Sequence, residues 1–355
     1  MPAAASTMPP KVEPAVSGRW IQPPGSIDDL RSKVLRALRE GGDKPTDLAG
    51  IRLVGEDLAG CDLSGCDLTG ADLSRADLTG ARLIGANLSA ATLHQTKLDE
   101  AELAGATLLG ATLEGASAKR AGFGKADLRR TSFFGATLDG ASFVEARLRH
   151  TDFRNASARD ARFSDCDLSR SDFSTADLAG AELSSADVDR AYFVETDLRR
   201  ARLRSLRNFE RASFLRADVR DVDFSGAYML RRHVLDENFL DEFKNRSPMY
   251  RFVYWVWWAS SDCGRSLTRW TAWTMLIALA FGFVFAQVAM DFGDHETWLS
   301  PFYYSVVTLT TLGYGDVLPA SEASQWCAMA EVTIGYLMLG GLISIFSNKL
   351  ARRGE

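Results

Sequence analysis

Ala71-Asp72-Leu73-Ser74-Arg75-Ala76-Asp77-Leu78-Thr79-Gly80 is one five-residue pattern written twice: a small residue, an acid, a leucine and two further residues. Working outward from it, Leu or Phe recurs at every fifth position from Leu48 to Leu203. That makes 32 positions, of which only Ala118, Ala158 and Val188 depart from Leu or Phe. From Cys61 to Ala201 the residue two places earlier is always Ala, Cys, Ser or Thr, as in Thr151-Asp152-Phe153. A period of five suits neither a helix at 3.6 nor a strand at 2. It suits a chain that turns a corner every five residues, so that four corners close a square coil of about 20 residues. Leu or Phe then points inward, the small residue before it packs where space is tight, and the Asp, Arg, Ser and Thr face water. Coils stacked at the strand spacing of about 4.8 Å would build a rod roughly 45 Å long from about nine coils.

Aromatic residues follow the same 20-residue period. Phe123, Phe143 and Phe163 share one predicted face, and Phe133, Phe153, Phe173 and Phe193 share the opposite one. Each set should stack as a ladder. Ala118 and Ala158 share a face two coils apart and read as local thinning of the core. The whole pattern resembles the pentapeptide-repeat family. That resemblance implies a right-handed quadrilateral parallel β-helix over 46–229. The phase slips by one residue between Leu203 and Phe209 and resumes through Phe214, Val219, Phe224 and Met229, which predicts a bulge near Ser205–Asn208. The ends of a β-helix need covering. Residues 26–45 read as an N-terminal capping helix, with Ser26 as N-cap and Ile27, Leu30, Val34 and Leu38 on one face. Arg231–Lys244 reads as a second helix at the far end. The Pro- and Ala-rich residues 1–25 read as a disordered tail without a signal-peptide pattern.

The chain is two compositions in sequence. After the Ala-, Asp-, Leu-, Gly- and Arg-rich repeats, 249–348 is rich in Trp, Tyr, Phe, Leu and Val and poor in charge. A net charge of −5 over 355 residues gives no bulk attraction to nucleic acid. The five cysteines include no CxxC pair, which reads as reduced thiols in a cytoplasmic domain. His94, His150, His233 and His295 are isolated, and no nucleophile, metal-ligand or phosphate-loop motif appears, so the chain is not expected to be an enzyme or to hold an organic cofactor.

Trp270–Met290 has no formal charge and is long enough to cross a bilayer; Ala323–Asn348 is a second span, interrupted only by Glu331. Met249–Trp258 is too short to cross, and its Tyr and Trp residues suit an interfacial helix in a linker over 230–268. Basic residues precede the first span and follow the second. From Asp291 to Glu322 there is no Lys or Arg but there are five acids, so both termini and the repeats are expected in the cytoplasm. A multi-pass protein of a bacterial inner membrane would suit this architecture.

Between the spans, Pro301 can open a short helix over 301–310, followed by Thr311-Leu312-Gly313-Tyr314-Gly315-Asp316. This segment resembles the filter of two-transmembrane potassium channels, with Leu312 where Val or Ile is more usual. The resemblance implies a pore domain over 269–350. It also implies a homotetramer in the lipid bilayer and permeant K⁺ held by the carbonyls of Thr311, Leu312, Gly313 and Tyr314 and the Thr311 hydroxyl. Gly313 and Gly315 allow the left-handed backbone that the path needs. Thr310, Asp316, Tyr303, Tyr304 and Glu331 are candidate supports: Tyr303 or Tyr304 behind Tyr314, Asp316 at the outer mouth, and Glu331 either bracing the pore helix through a Thr hydroxyl or passive. Gly335, Gly340 and Gly341 are hinge candidates or helix-packing points.

No span carries Arg at every third position, so no voltage sensor is expected. The chain closes soon after the second span, which leaves the β-helix as the expected regulatory domain, binding an unknown cytoplasmic ligand or protein, or else acting as an assembly scaffold. Two other functions stay open. A weakly selective cation channel is one, and a membrane-anchored interaction protein or acidic DNA mimic is the other. The mixed Asp and Arg surface argues against DNA mimicry and nucleic acid is not an expected partner.

Overall fold

The computed structural model describes residues 46–293 and 297–351; the expected tail (1–25) and N-terminal capping helix (26–45) lie outside them. The chain divides into two units, Met1–Asn238 and Phe239–Glu355.

In the first unit the chain coils with a period of 20 residues. Single parallel bridges join Asp47 to Asp67, Asp67 to Asn87, and so on for every five-residue side up to Asp187 and Arg207. Each side ends in a turn. In Leu73–Ala76 the Ala76 N–H donates to the Leu73 carbonyl (3.0 Å) and Arg75 has φ 60° while Ser74 is not left-handed, the signature of a type II turn. The acid of the pattern has a local task. Asp72 Oδ1 accepts from the Ser74 N–H (3.2 Å) and the Ser74 hydroxyl (2.7 Å), so the side chain clamps the turn that follows.

The inward Leu, Phe and Ala side chains form one continuous core. The two aromatic ladders are present: Phe133, Phe153 and Phe173 stack at 5.1 and 4.5 Å, and Phe123, Phe143 and Phe163 at 4.9 and 4.8 Å. The ladders meet edge-on, as between Phe143 and Phe153 at 5.9 Å. Both favoured aromatic geometries are thereby used, worth about 0.5–1.5 kcal/mol per pair beyond burial. Polar residues at the small inward position find partners one coil away. Thr96 donates to the Leu73 carbonyl (2.8 Å), Thr151 to that of Leu128 (2.9 Å), and Cys166 Sγ lies 2.8 Å from that of Phe143. No buried hydroxyl among these is stranded.

The phase slip is real but lies slightly later than Ser205–Asn208. The register lengthens from 20 to 21 between the bridges Asp187–Arg207 and Tyr192–Ser213. The extra residue is absorbed by Asn208, at φ 58°, and a 3-10 turn over Phe209–Arg211. Leu206 takes the inward small-residue place there, and the ladder resumes with Phe193 stacked on Phe214 at 4.8 Å. Met229 does not point inward as the pattern suggests; it is half exposed, because the coil stops at helix α1 (Tyr228–Asn245). This helix caps the last coil. Leu230 and Val234, one turn apart, are buried on it. Glu237 accepts from the Ser213 hydroxyl and the Phe214 N–H (both 2.7 Å), and Asn238 accepts from the Arg216 N–H (2.5 Å) and donates to the Phe214 carbonyl (3.2 Å). Side chains thus replace the next coil as hydrogen-bond partner.

The second unit is helical. Helix α2 (Pro248–Ser261) is longer than the apolar run Met249–Trp258, since Ser247 caps it and Pro248 opens it. Helix α3 (Leu267–Phe285), N-capped by Ser266, starts three residues before and ends five before the expected 270–290. The lost end is used otherwise: strand β1 (Met290–Asp291) pairs antiparallel with strand β2 (Leu318–Pro319). Between them lies helix α4 (Ser300–Leu309), one residue earlier at each end than predicted. Helix α5 (Glu322–Ala351) closes the unit; Ser321 and Ser324 cap its start reciprocally, each hydroxyl accepting the other's N–H. Helices α3 and α5 are long and apolar enough to cross a membrane.

Candidate functional site

The candidate site is the segment that leaves the end of α4. The helix is anchored on both sides. Against α3, Phe302 lies so close to Gly282 that a Cβ there would meet its ring at 2.3 Å, and Tyr304 packs edge-on to Phe285 at 4.9 Å. Against α5, Gly335 faces the carbonyl of Leu309, the last helical residue, with room for no side chain: an added Cβ would stand 2.3 Å from that oxygen. Ser305, in the middle of α4, is fully buried. Its hydroxyl donates to the Ala278 carbonyl of α3 (2.7 Å) and also contacts Glu331 Oε1 of α5, so one hydroxyl ties three helices. Glu331 is fully buried and its second oxygen has no hydrogen-bond partner among the described residues. Of the two readings of Glu331, bracing the pore helix, for example through a Thr hydroxyl, or staying passive, the contact seen is with a hydroxyl of α4, that of Ser305.

The helix end leads directly into the segment Thr310–Asp316. Thr310 Oγ1 donates back to the Val306 carbonyl (2.7 Å), the Thr311 N–H to Thr308 and the Leu312 N–H to Val307 (both 3.0 Å). Thr311, Gly313 and Gly315 have φ 61°, 52° and 76°, whereas Leu312 and Tyr314 are not left-handed. Alternating the hand at successive residues lines up N–H groups on one side of the chain, the face used by anion-binding nests, and leaves the carbonyls to the opposite side, the face a cation would need. The conformation at Gly313 and Gly315 agrees with their being glycines. The left-handed Thr311 is not legible from residue type, since a β-branched residue rarely adopts it.

Beyond the segment, Asp316 accepts a hydrogen bond from the Tyr303 hydroxyl (2.9 Å). Tyr303 therefore braces Asp316. Tyr314, expected behind the segment against Tyr303 or Tyr304, is 67% exposed in the single chain, and Leu312 is 61% exposed. The β1–β2 pair holds the end of α3 to the chain just past Asp316. Of the three glycines of α5, two are tightly packed: Gly335 on Leu309, and Gly341 on Trp270, whose ring an added Cβ would meet at 2.1 Å. Trp270 was not singled out in the sequence, yet its indole N–H donates to the Met338 carbonyl (2.9 Å), joining α3 to α5. A Cβ on Gly340 would meet nothing within 4 Å.

This arrangement can present a row of backbone oxygens but offers no reactive constellation. Among the described residues no cluster of His, Cys, Asp and Glu could hold a metal ion.

Comparison with known proteins divides along the same boundary. Residues 271–352 match the ion-channel family model. Eight copies of the pentapeptide-repeat model match within 57–95 and 166–204, and a pentapeptide-repeat-region model matches 113–183. Two pore potassium channel b of Oryza sativa is 35% identical over 95 residues, 26% of this chain and 27% of that protein. Two-pore potassium channel 1 of Arabidopsis thaliana is 32% identical over 97 residues, 27% of each. The chain thus spans about a quarter of the length of these curated relatives. Among solved structures, HetL, a pentapeptide-repeat protein from the cyanobacterium Nostoc, is 28% identical, covering 54% of this chain and 93% of its own, with a TM-score of 0.37. Pentapeptide repeats and an ion-channel segment are therefore consecutive parts of one chain.

Proposed function

We propose that the protein is a subunit of a homotetrameric potassium-selective channel, in which four copies of Thr311–Gly315 surround one permeation path. A dehydrated K⁺ would be held by the carbonyls of Thr311, Leu312, Gly313 and Tyr314 and by the Thr311 hydroxyl, which replace its water shell. The observation that carries this reading is the alternation of hand at Thr311, Gly313 and Gly315, at the end of a short helix wedged between two apolar helices. Irregular backbone at membrane depth is tolerated where it is buried in protein or lines a cavity. The ion-channel family model matches over this same part of the chain, and two of the chain's plant relatives are named as potassium channels.

In this reading Asp316 lies at the outer mouth, Tyr303 fixes it, and Ser305 with Glu331 holds the pore helix. Gly335 and Gly341 are packing points, and the hinge role falls to Gly340, where a side chain would find open space. The run of basic residues before α3 and after α5 supports a cytoplasmic position for both ends and the repeats. The repeats take the right-handed quadrilateral form that the family resemblance implies. They assemble or gate the pore through α1 and α2. Asp residues such as Asp72 are engaged with their own turns, which leaves DNA mimicry without a supporting observation.

The test is the reversal potential of the purified protein in liposomes under opposed K⁺ and Na⁺ gradients. Reversal near the K⁺ equilibrium potential, lost in Gly313→Ala, is expected. Equal passage of Na⁺ would reject potassium selectivity and direct attention to Leu312.

A further inference from the structure

Cations on the β-helix surface are generally matched with acids one coil away. Arg52 faces Asp72, Lys97 faces Asp77, Arg120 faces Glu100 and Arg202 faces Glu182, each pair 20 residues apart. This is what stacked coils require, since like charges directly opposite one another are unfavourable. One corner breaks the rule. Its turn residues over four early coils are Gly50, Gly70, Ala90 and Gly110; over the next four they are Arg130, His150, Arg170 and Arg190. Arg149 adds a further cation beside His150.

The change runs against two structural preferences at once. All four turn residues are left-handed, with φ between 56° and 61°, where glycine is the least costly choice. Arg170 and Arg190 stack cation on cation along the rod, and Arg130, Arg149 and Arg170 crowd around His150. Nearby carboxylates relieve this only in part, because their hydrogen bonds and ion pairs are made elsewhere: Asp127 with Arg129, Asp167 with Ser169, Asp187 with Asn208 and Asp189 with Arg211. Arg130, Arg149, Arg170 and Arg190 are exposed and, among the described residues, make no ion pair and no side-chain hydrogen bond. Burial and the three neighbouring arginines, Arg170 foremost, lower the pKa of His150, with Asp167 opposing them in part. Core packing explains none of it, since all five side chains point to solvent.

We propose that Arg130, Arg149, His150, Arg170 and Arg190 form a binding site for a linear polyphosphate anion. The ridge is about 14 Å long, three coil steps of about 4.8 Å, and one or two side chains wide. Asp167 and Asp187 flank it on one side, Asp152 and Asp172 on the other. A duplex or a flat anionic membrane would have to approach those carboxylates; a thin, flexible chain of phosphates can run between them. Arginine supplies forked donors suited to phosphate oxygens. The site does not depend on conduction, and binding is measured separately from ion flux.

The experiment is binding of inorganic polyphosphate of defined length to the full chain in nanodiscs of zwitterionic lipid, as a function of salt. The variant R130Q/R149Q/R170Q/R190Q should bind about tenfold or more weakly, with a shallower salt slope. A control with the same loss of charge at paired positions, R52Q/R120Q/K125Q/R202Q, should stay within about twofold of the parent, because diffuse charge alone is screened over about 8–10 Å. Without polyphosphate the ridge variant should melt no lower than the parent, which separates binding from misfolding. The Gly313→Ala protein, without selective current, should still bind. The proposal is overturned if the parent does not bind, if both variants lose affinity equally, or if single-stranded DNA or anionic vesicles compete as well as polyphosphate.

Discussion

The two units satisfy their backbones in opposite ways. In the repeats, each side of a coil bonds to the residues 20 ahead and 20 behind, and Leu and Phe side chains are sealed within one chain. In the helical unit the hydrogen bonds are internal to each helix, and the apolar surface faces outward: Trp326 is 70% exposed, Leu337 69% and Ile343 61%. A closed coil needs only its own next turn; apolar spans need lipid and, in the proposed tetramer, three further copies. The first unit's stability is therefore a property of sequence at a fixed spacing, while the second depends on a few points where helices touch.

The largest expected effect tests the sealed core. Phe153 stacks between Phe133 and Phe173 and meets Phe143 and Phe163 edge-on. Phe153→Ala should cost about 3–5 kcal/mol, read as a shift of the denaturant midpoint of the β-structure. If the coil is as self-contained as its hydrogen bonds imply, the helical unit should unfold as before. Next in size is Gly335→Ala. Its added methyl meets backbone at the end of α4, which cannot rotate aside, so about 3 kcal/mol of overpacking and loss of K⁺ flux are expected. An unchanged midpoint for the repeats would confirm that the damage is local; wild-type flux would contradict the tight contact.

Ser305 offers a sharper test of the helical unit, because three helices share its hydroxyl. Ser305→Ala leaves Glu331 buried without its partner and should cost about 1–3 kcal/mol. Removing both polar partners, as in Ser305→Ala with Glu331→Met, should recover most of that loss. Thermal unfolding in nanodiscs measures both; a double variant worse than the single one would show that Glu331 has a task beyond this contact.

The contrast also explains what was legible in advance. A pattern repeated dozens of times has one solution, so the coil length, the inward residues and both aromatic ladders follow from spacing alone. The slip was visible as a phase change, but its position was not, because Asn208 and the 3-10 turn absorb the extra residue by local backbone choice. Met229 kept the phase without the environment, since the helix that begins at Tyr228 overrides the repeat. In the segment Thr310–Asp316 the glycines at 313 and 315 announced left-handed backbone, whereas Thr311 did not. Glu331 was conspicuous as a charge in an apolar run, yet its partner came from helix packing that no spacing encodes. The same holds for Trp270 on Gly341 and Tyr303 on Asp316.

The smallest effect concerns the chemistry of the sealed core. Burial pushes the Cys166 thiol up from 9.0 to about 12. The unfolded chain releases that proton near its ordinary pKa, while the folded coil retains it. Below pH about 9 both states are protonated and the thiol contributes nothing to pH dependence. Between about 9 and 12 the unfolded state binds fewer protons, so stability falls as pH rises, by at most about 1.4 kcal/mol per unit for this one group. Cys166→Ala removes the slope but not the background from lysines and tyrosines. The difference between wild type and variant should therefore be constant up to pH 9 and then narrow or reverse. A thiol reagent should label folded protein at Cys166 no faster than global unfolding allows, since only the thiolate reacts and the residue is sealed. Fast labelling at pH 8 would mean that the coil opens locally at its third aromatic step, and that the first unit is less self-contained than its hydrogen bonds imply.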